Sequence, residues 1–360
     1  MSANHNYCVI LAGGIGRRLW PSSRRAKPKQ FIDFFSTGRT LLQQTYDRFA
    51  RFIPRNHIYV STYKDYVDLV SEQLPELPAD NILAEPVQLS TAPAAAWASC
   101  HIGNSDPEAC IVASPADHHI INEERFIADI EKGLGFVATH QEFLAMGVRP
   151  AVPNTAYGYI QMGENGVGAG LYRVKSFSEK PAAEYARLFT ESGEFLWNTG
   201  LFLWHVDTLI KRISSVGNGR PVGRPDRPLT NAEELEIIKK RYPTSLHRTL
   251  DLMVLESCDN AYVQVCGFGW ADVGCWPEIY AVADKDADGN ALLTHSKVMF
   301  SGCRNNLVRL PDGMGAAIKG LDGYLIAQDG NLLVICPNED PALVRRLLNE
   351  AQMQLGEDYI

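Results

Sequence analysis

Short unbroken apolar runs and stretches with helical spacing take turns along most of this chain. Runs at 7–12, 57–61, 81–84, 110–114 and 143–148 read as strands, and amphipathic stretches at 41–52, 63–74, 91–99 and 123–139 read as the helices between them. A strand covered on both faces shows no polar side, so continuous apolar runs predict a sheet with helices on each face. The alternation predicts a doubly wound α/β fold with a mostly parallel, mixed sheet. Ligands of such sheets bind beyond the carboxyl ends of the strands, so the chemistry belongs in the loops that follow them.

From residue 157 to about 272 the rhythm is mixed. Strands are predicted at 157–162, 171–177, 199–204 and 261–266, and helices at 182–191 and 231–241. The segment 217–228 is rich in glycine, proline and arginine and reads as an exposed loop. Beyond residue 285 come four Asp-Gly dipeptides, at 288, 312, 322 and 329, and none occurs earlier. Asp-Gly supplies the positive φ angles of tight hairpins. With apolar runs at 324–327 and 332–336 and a helix at 342–355, this tail reads as a small β domain closed by a helix. The division is thus a large domain, 1–284, and a β-rich C-terminal domain, 285–360.

Composition narrows the function. With 46% hydrophobic and 21% charged residues among 360, the chain can bury a sizeable core. A formal charge of −8 argues against a general nucleic-acid or anionic-membrane binder, so anionic ligands must be met by a few local cations. The eight cysteines are scattered without a C-x-x-C pair, the pattern of reduced thiols. The first apolar run, 7–12, is too short for a signal or membrane segment, and a reducing cytoplasm is the expected location.

The sharpest motif follows the first strand: Gly13-Gly14-Ile15-Gly16-Arg17-Arg18-Leu19-Trp20-Pro21-Ser22-Ser23. Glycines there let backbone N–H groups turn toward an anion, and arginines add charge-assisted donors for phosphate oxygens. On the glycines alone, an ordinary strand-to-helix turn is an equal reading. No Gly-Lys-Ser/Thr follows, so this is not a Walker loop. Leu19 in place of a third glycine, with Pro21 behind it, makes a poor dinucleotide fingerprint. Pro28-Lys29-Gln30-Phe31 comes next. A lysine beside a rigid proline makes a fixed point charge, and nearness to the glycine loop favours that role over a solvated surface lysine.

These residues resemble the signature of bacterial mannose-1-phosphate guanylyltransferases (GDP-mannose pyrophosphorylases), a branch of the sugar-phosphate nucleotidyltransferases. The resemblance continues in order through Glu85-Pro86, Thr91-Ala92-Pro93-Ala94, Pro115-Ala116-Asp117-His118, Tyr157-Gly158-Tyr159-Ile160, Phe177-Ser178-Glu179-Lys180-Pro181, Trp197-Asn198-Thr199-Gly200 and Gly269-Trp270-Ala271-Asp272-Val273-Gly274. It spans roughly the first 280 residues, and its collinearity makes chance a poor account.

The resemblance implies a Rossmann-like nucleotidyltransferase fold that moves GMP from GTP to α-D-mannose 1-phosphate with Mg²⁺. Asp117 and Asp272 are then the metal ligands, while Arg18 and Lys29 grip the triphosphate. Gly13, Gly14, Gly16, Glu85 and Thr91 bind the nucleotide, and Gly158, Glu179, Lys180 and Asn198 bind the sugar phosphate. Both aspartates follow apolar runs, where paired carboxylates suit a hard cation; a helix cap is the other reading. Neighbouring His118 and His119 point to opposite faces of a strand and do not suggest a metal site. Without the resemblance, Glu179 and Lys180 read as a solvated ion pair at a helix start. Glu85 is the candidate acceptor for guanine N–H groups.

Leu89 and Ser90 stand where longer bacterial relatives carry arginine and asparagine, and Ser22 replaces a frequent leucine, a change expected to matter little. Trp197, Trp204, Trp270 and Trp276 read as core fillers. The tail is too short for the fused cupin-type isomerase of longer relatives, and in such enzymes a β tail often mediates a homodimer. Two alternatives stand beside this reading: transfer with another base or hexose 1-phosphate, and a non-catalytic GDP-mannose-binding regulatory subunit. The second predicts loss of the metal or basic residues, which are all present.

Overall fold

The computed structural model describes residues 5–166, 168–215, 229–245, 247–256, 260–340 and 342–359. Segment 217–228 and Cys258 lie outside them. The chain packs as two compact units, each assembled from separated stretches: Met1–Gly13, Tyr46–Ala116 and Ile120–Trp270 in one, and Gly14–Thr45, Asp117–His119 and Ala271–Ile360 in the other.

The first unit is built on a nine-stranded mixed sheet. Its spatial order is β3 (Ile82–Glu85), β2 (Ile58–Tyr63), β1 (Asn6–Leu11), β4 (Cys110–Pro115), β9 (Phe195–His205), β6 (Phe143–Val148), β10 (Ala261–Cys266), β8 (Leu171–Ser178) and β7 (Tyr159–Asn165). β3, β2, β1 and β4 are mutually parallel, as are β6 and β10, while β9 and β8 run antiparallel to their neighbours. One direction thus dominates. Helices cover both faces, as the apolar runs require. Tyr7, Val9, Ile111, Phe202 and Trp204 join a core with Trp97 and Ala98 of helix Thr91–Ser105. Leu203 and Leu144, of opposite parity, lie under Gly133 of helix Glu123–Thr139.

Most predicted elements appear with ends moved by a few residues. His57 belongs to a short turn before β2, and Tyr63–Tyr66 precede a helix that starts at Val67. β9 begins at Phe195, not 199, because Leu196 and Trp197 already pair with β7 and β6. Three helices escaped the pattern: Val206–Ser215, which continues directly from the apolar β9, and the short Leu250–Leu255 and Trp276–Val282.

The second unit corrects the hairpin expectation. β12 (Ala291–Leu292), β14 (Leu307–Arg309) and β16 (Tyr324–Asp329) pair in parallel, and β13 (Lys297–Ser301) pairs in parallel with β15 (Gly315–Lys319). The chain therefore coils between two sheets. Asp329-Gly330 closes a two-strand antiparallel hairpin, β16 with β17 (Leu332–Pro337), and Asp288-Gly289 closes a single antiparallel bridge, Lys285 with Ala291. All four glycines keep positive φ, at 80°, 83°, 76° and 56° in order, but positive φ makes a corner as readily as a reversal. Burial decides between them: Val308, Leu310 and Ile326 pack with Val298, Phe300, Ala316 and Ile318 from the facing sheet. Helix Leu343–Leu355 closes the unit, and its Val344, Leu348 and Ala351 join Leu19, Trp20 and Trp276 in a second core. Two short strands, β5 (His118–Ile120) and β11 (Trp270–Asp272), pair with each other.

No disulfide joins the seven described cysteines, all of them buried. Among the described residues no helix is long and apolar enough to cross a membrane.

Candidate active site

Beyond β1 the chain enters the glycine loop and makes a single tight turn, Arg17–Leu19. Gly16 precedes it at φ 73°, a left-handed conformation that costs glycine little. A Cβ there would also lie 2.8 Å from Lys29 Cγ and 2.9 Å from Ser23 Oγ, so the lysine stem crosses directly over this residue. Ser23 Oγ donates to Ile15 O at 2.6 Å and fixes the loop's return. Pro28 then starts the short turn Lys29–Phe31, with Phe31 N donating to Pro28 O at 3.0 Å. The sequence thus delivers the Lys29 ammonium to one place from both sides.

At that place Lys29 Nζ donates to Asp117 Oδ2 in a largely buried ion pair. Val273 N donates to Asp117 O at 3.3 Å, which draws the Asp272 segment alongside. Next to it Gly274 leaves room for Arg18: a Cβ on Gly274 would meet Arg18 Nη2 at 2.7 Å and Asp272 Oδ2 at 2.8 Å. Arg18, Lys29, Asp117 and Asp272, far apart in sequence, converge in the second unit.

The charges are unevenly served. Burial raises Asp272, and Asp117 and Glu278 add to this, so its carboxyl is pushed up to about 7 although Lys29 and Arg18 pull the other way. Burial also works against ionised Asp117, but the Lys29 charge and hydrogen bond, with His118, outweigh it and hold that carboxyl below its ordinary value. Lys29 is buried too, yet the two aspartates raise it, so it keeps its proton. The two carboxylates are thus held in opposite directions. Among the described residues no three His, Cys, Asp or Glu side chains gather as metal ligands.

The first unit holds another cluster. Asn198 N donates to Gly158 O at 2.8 Å, and a Cβ on Gly158 would lie 2.9 Å from Glu179 Oε2. Glu179 pairs with Lys180 at 3.0 Å, and Lys180 has φ 47°, unusual for a residue with a side chain. Asn198 Nδ2 donates to Asp251 Oδ1. Burial raises Asp251, and Glu179 adds to that. Gly158, Glu179, Lys180 and Asn198 are thereby brought together, with Asp251 as a fifth member. The sequence reading missed Asp251; the signal was a lone carboxylate inside the apolar hexamer of helix Leu250–Leu255. It also missed Glu278, whose Oε2 accepts from Gly274 N at 3.1 Å.

Three nucleotide candidates lie elsewhere in the first unit. Gly13 O accepts from Gln88 Nε2 at 3.2 Å. Glu85 ends β3 and is buried, with both carboxylate oxygens engaged by protein hydroxyls. Thr91 opens its helix, and its Oγ1 accepts from Leu250 N at 2.8 Å. In the second unit Gly14 faces open space, with nothing within 4 Å of where a Cβ would stand.

Residues 7–289 match the family model described as nucleotidyl transferase. The chain is 30% identical over 353 residues to the alginate biosynthesis protein AlgA of Pseudomonas putida, covering 96% of this chain and 71% of that protein. It is 28% identical over 369 residues to a mannose-1-phosphate guanylyltransferase of Salmonella montevideo, covering 98% and 75%. Among solved structures it is similar to a protein of Thermus thermophilus titled mannose-1-phosphate geranyltransferase, with TM-score 0.82 and 25% identity over 97% of this chain and 99% of that one.

Proposed function

The chain belongs to the nucleotidyl transferase family, and from that premise we propose that it transfers GMP from GTP to α-D-mannose 1-phosphate, giving GDP-mannose and pyrophosphate. The observation that carries this reading is the convergence of Arg18, Lys29, Asp117 and Asp272 beside the glycine turn.

A phosphate monoester has its second pKa near about 6, so the attacking oxygen of the sugar phosphate is already ionised at neutral pH. No general base is needed. The work left to the protein is to position two anions and to offset charge that builds on the α-phosphoryl group during in-line displacement. Arg18 and Lys29 supply fixed cations for the triphosphate. The backbone at Gly14 and Gly16 supplies N–H donors with no side chain in the way at Gly14. Lys180 orients the attacking phosphate, while Glu179, Asn198 and Asp251 offer acceptors and donors to sugar hydroxyls. Glu85 reads the guanine, and Thr91 supports the nucleotide side by fixing Leu250.

Magnesium belongs to the reading as well. Asp117 and Asp272 would hold it: burial, with Asp117 and Glu278 beside it, pushes Asp272 up to about 7, and a hard divalent cation with phosphate ligands would favour its ionised form. When bound, it would neutralise phosphate charge. A cytoplasmic setting is proposed from the scattered cysteines, and a homodimer from the sequence resemblance.

Purified protein assayed for pyrophosphate release, with each nucleoside triphosphate against mannose and glucose 1-phosphates, tests the proposal. GTP with mannose 1-phosphate should turn over fastest. Faster turnover of another pair would replace it, and GDP-mannose binding without any release would make the chain a binding protein.

A further inference from the structure

Glu85 is served from two elements at once. Ser61 Oγ of β2 donates to its Oε1 at 2.9 Å, and Tyr242 OH donates to its Oε2 at 2.6 Å. Tyr242 opens a short turn that follows helix Asn231–Arg241, far along the chain. Its ring is fully buried against Trp97, with centroids 5.9 Å apart at 68°, and the Trp97 indole donates to Glu234 Oε1 of that same helix at 2.6 Å. A capping box at Thr230 and Glu233 sets the start of the helix. The hydroxyl therefore has little freedom. On its other side the Glu85 carboxylate borders the glycine loop, because a Cβ on Gly13 would stand 3.4 Å from Oε1.

We infer that Tyr242 and Ser61 are positioning residues that keep Glu85 a pure acceptor aimed at guanine N–H groups, so that base selectivity depends on the turn at Tyr242. The inference rests on the proposed guanylyl transfer and deepens it. An ionised carboxylate has about four lone-pair sites, and two protein donors leave two for a ligand. A protonated carboxyl would present a hydrogen to the base and lose that match. Burial favours the protonated form and raises Glu85, while the Tyr242 and Ser61 hydrogen bonds oppose it. Tyr242 is the titratable group that acts on this carboxylate; burial and Glu85 hold its phenol far above its ordinary value, so it remains a donor.

The experiment uses full-length wild type, Tyr242→Phe and Ser61→Ala, with GTP and with ITP, which lacks the 2-amino group. kcat and KM are measured with mannose 1-phosphate and Mg²⁺ across pH 6 to 9, and circular dichroism checks the fold. Tyr242→Phe should lower kcat/KM for GTP by about tenfold, mostly through KM, and shrink the preference over ITP. The pH below which that preference fades should move upward, because the carboxyl keeps its proton to higher pH. Ser61→Ala should move both readouts the same way and decides the matter if the first variant folds poorly. Wild type that turns over GTP, with variants that keep its GTP-to-ITP ratio and pH profile, overturns the inference alone. Wild type with no GTP turnover overturns the proposed function instead.

Discussion

Arg309 Nη1 donates to Ser22 Oγ at 2.8 Å, so the C-terminal coil grips a residue just beyond the turn of the glycine loop. The same guanidinium lies 5.4 Å from the centre of the Phe34 ring and 3.6 Å from Asp329 Oδ2. Burial lowers its pKa, while Asp329 and more distant Asp33 and Asp312 offset part of the effect. Ser22 is buried, and its hydroxyl gives the largely buried Arg309 an acceptor.

Removing that cation should destabilise the second unit. Arg309→Met keeps much of the apolar stem but leaves Ser22 and Asp329 without their partner. A hydrogen bond to a charged group contributes about 1.5–3 kcal/mol, so a loss of about 2 kcal/mol and a fall in Tm of several degrees are expected. Differential scanning calorimetry reads this directly. An unchanged Tm would mean that the Arg309 contacts add nothing to stability.

Gly158 offers a more local prediction. A Cβ at this position would stand 2.8 Å from Phe177 Cε2 and 2.9 Å from Glu179 Oε2, so either the ring or the carboxylate must move. Overpacking of this kind costs about 1–3 kcal/mol. Gly158→Ala should raise KM for mannose 1-phosphate by about tenfold and leave KM for GTP near its wild-type value. Asp251→Ala should act on the same constant by taking away the acceptor for Asn198 Nδ2. If KM for GTP rises instead, this cluster does not serve the sugar phosphate.

Acid stability should depend on Asp106. Burial pushes its carboxyl up, but hydrogen bonds from His5, the Glu108 N–H and Tyr7 outweigh that and hold it below the ordinary aspartate value. A depressed folded pKa adds stability that is complete above the unfolded value of about 3.9 and is lost as pH falls through the folded one. Asp106→Asn should therefore lower Tm at pH 7, and its deficit against wild type should shrink as pH drops from about 5 toward about 3. A deficit that stays constant with pH would assign the effect to packing.

Local rules explain which parts of this molecule could be read in advance. Phe143–Val148, Glu123–Thr139, Asn231–Arg241 and Ala261–Cys266 appear at the predicted residues, because their apolar period and flanking caps are set within a few positions. The positive φ at Gly289, Gly313 and Gly323 was equally legible. Their parallel partners were not, because pairing depends on which distant apolar residues share a face. The candidate site divides in the same way. Asp117 and Asp272 stand out as carboxylates after apolar runs, but the role of Gly274 in admitting Arg18 appears only once Gly14–Thr45 and Ala271–Ile360 have packed. Asp251 and Tyr242 carry no motif of their own, and both gain their roles through hydrogen bonds to residues far away in sequence.

Lys29 pairs with Asp117, magnesium is proposed at Asp117 and Asp272, and the two cations can be told apart. Lys29 is a permanent cation whose stem is held by Gly16, so Lys29→Met removes charge that no added ion restores in the same position. Losing one preorganised charge contact of this type costs about 10²–10³ in kcat. Magnesium is exchangeable. Chelation with EDTA should abolish pyrophosphate release by wild type, and excess Mg²⁺ should restore it fully. Lys29→Met should stay at least about a hundredfold slow at saturating Mg²⁺, whereas Asp272→Asn should need far more Mg²⁺ for half-maximal rate. Pyrophosphate release that survives EDTA would remove the metal from this site. A Lys29→Met enzyme rescued by Mg²⁺ alone would show that the lysine merely fills the ion's place, and that Asp117 and Asp272 need only one cation between them.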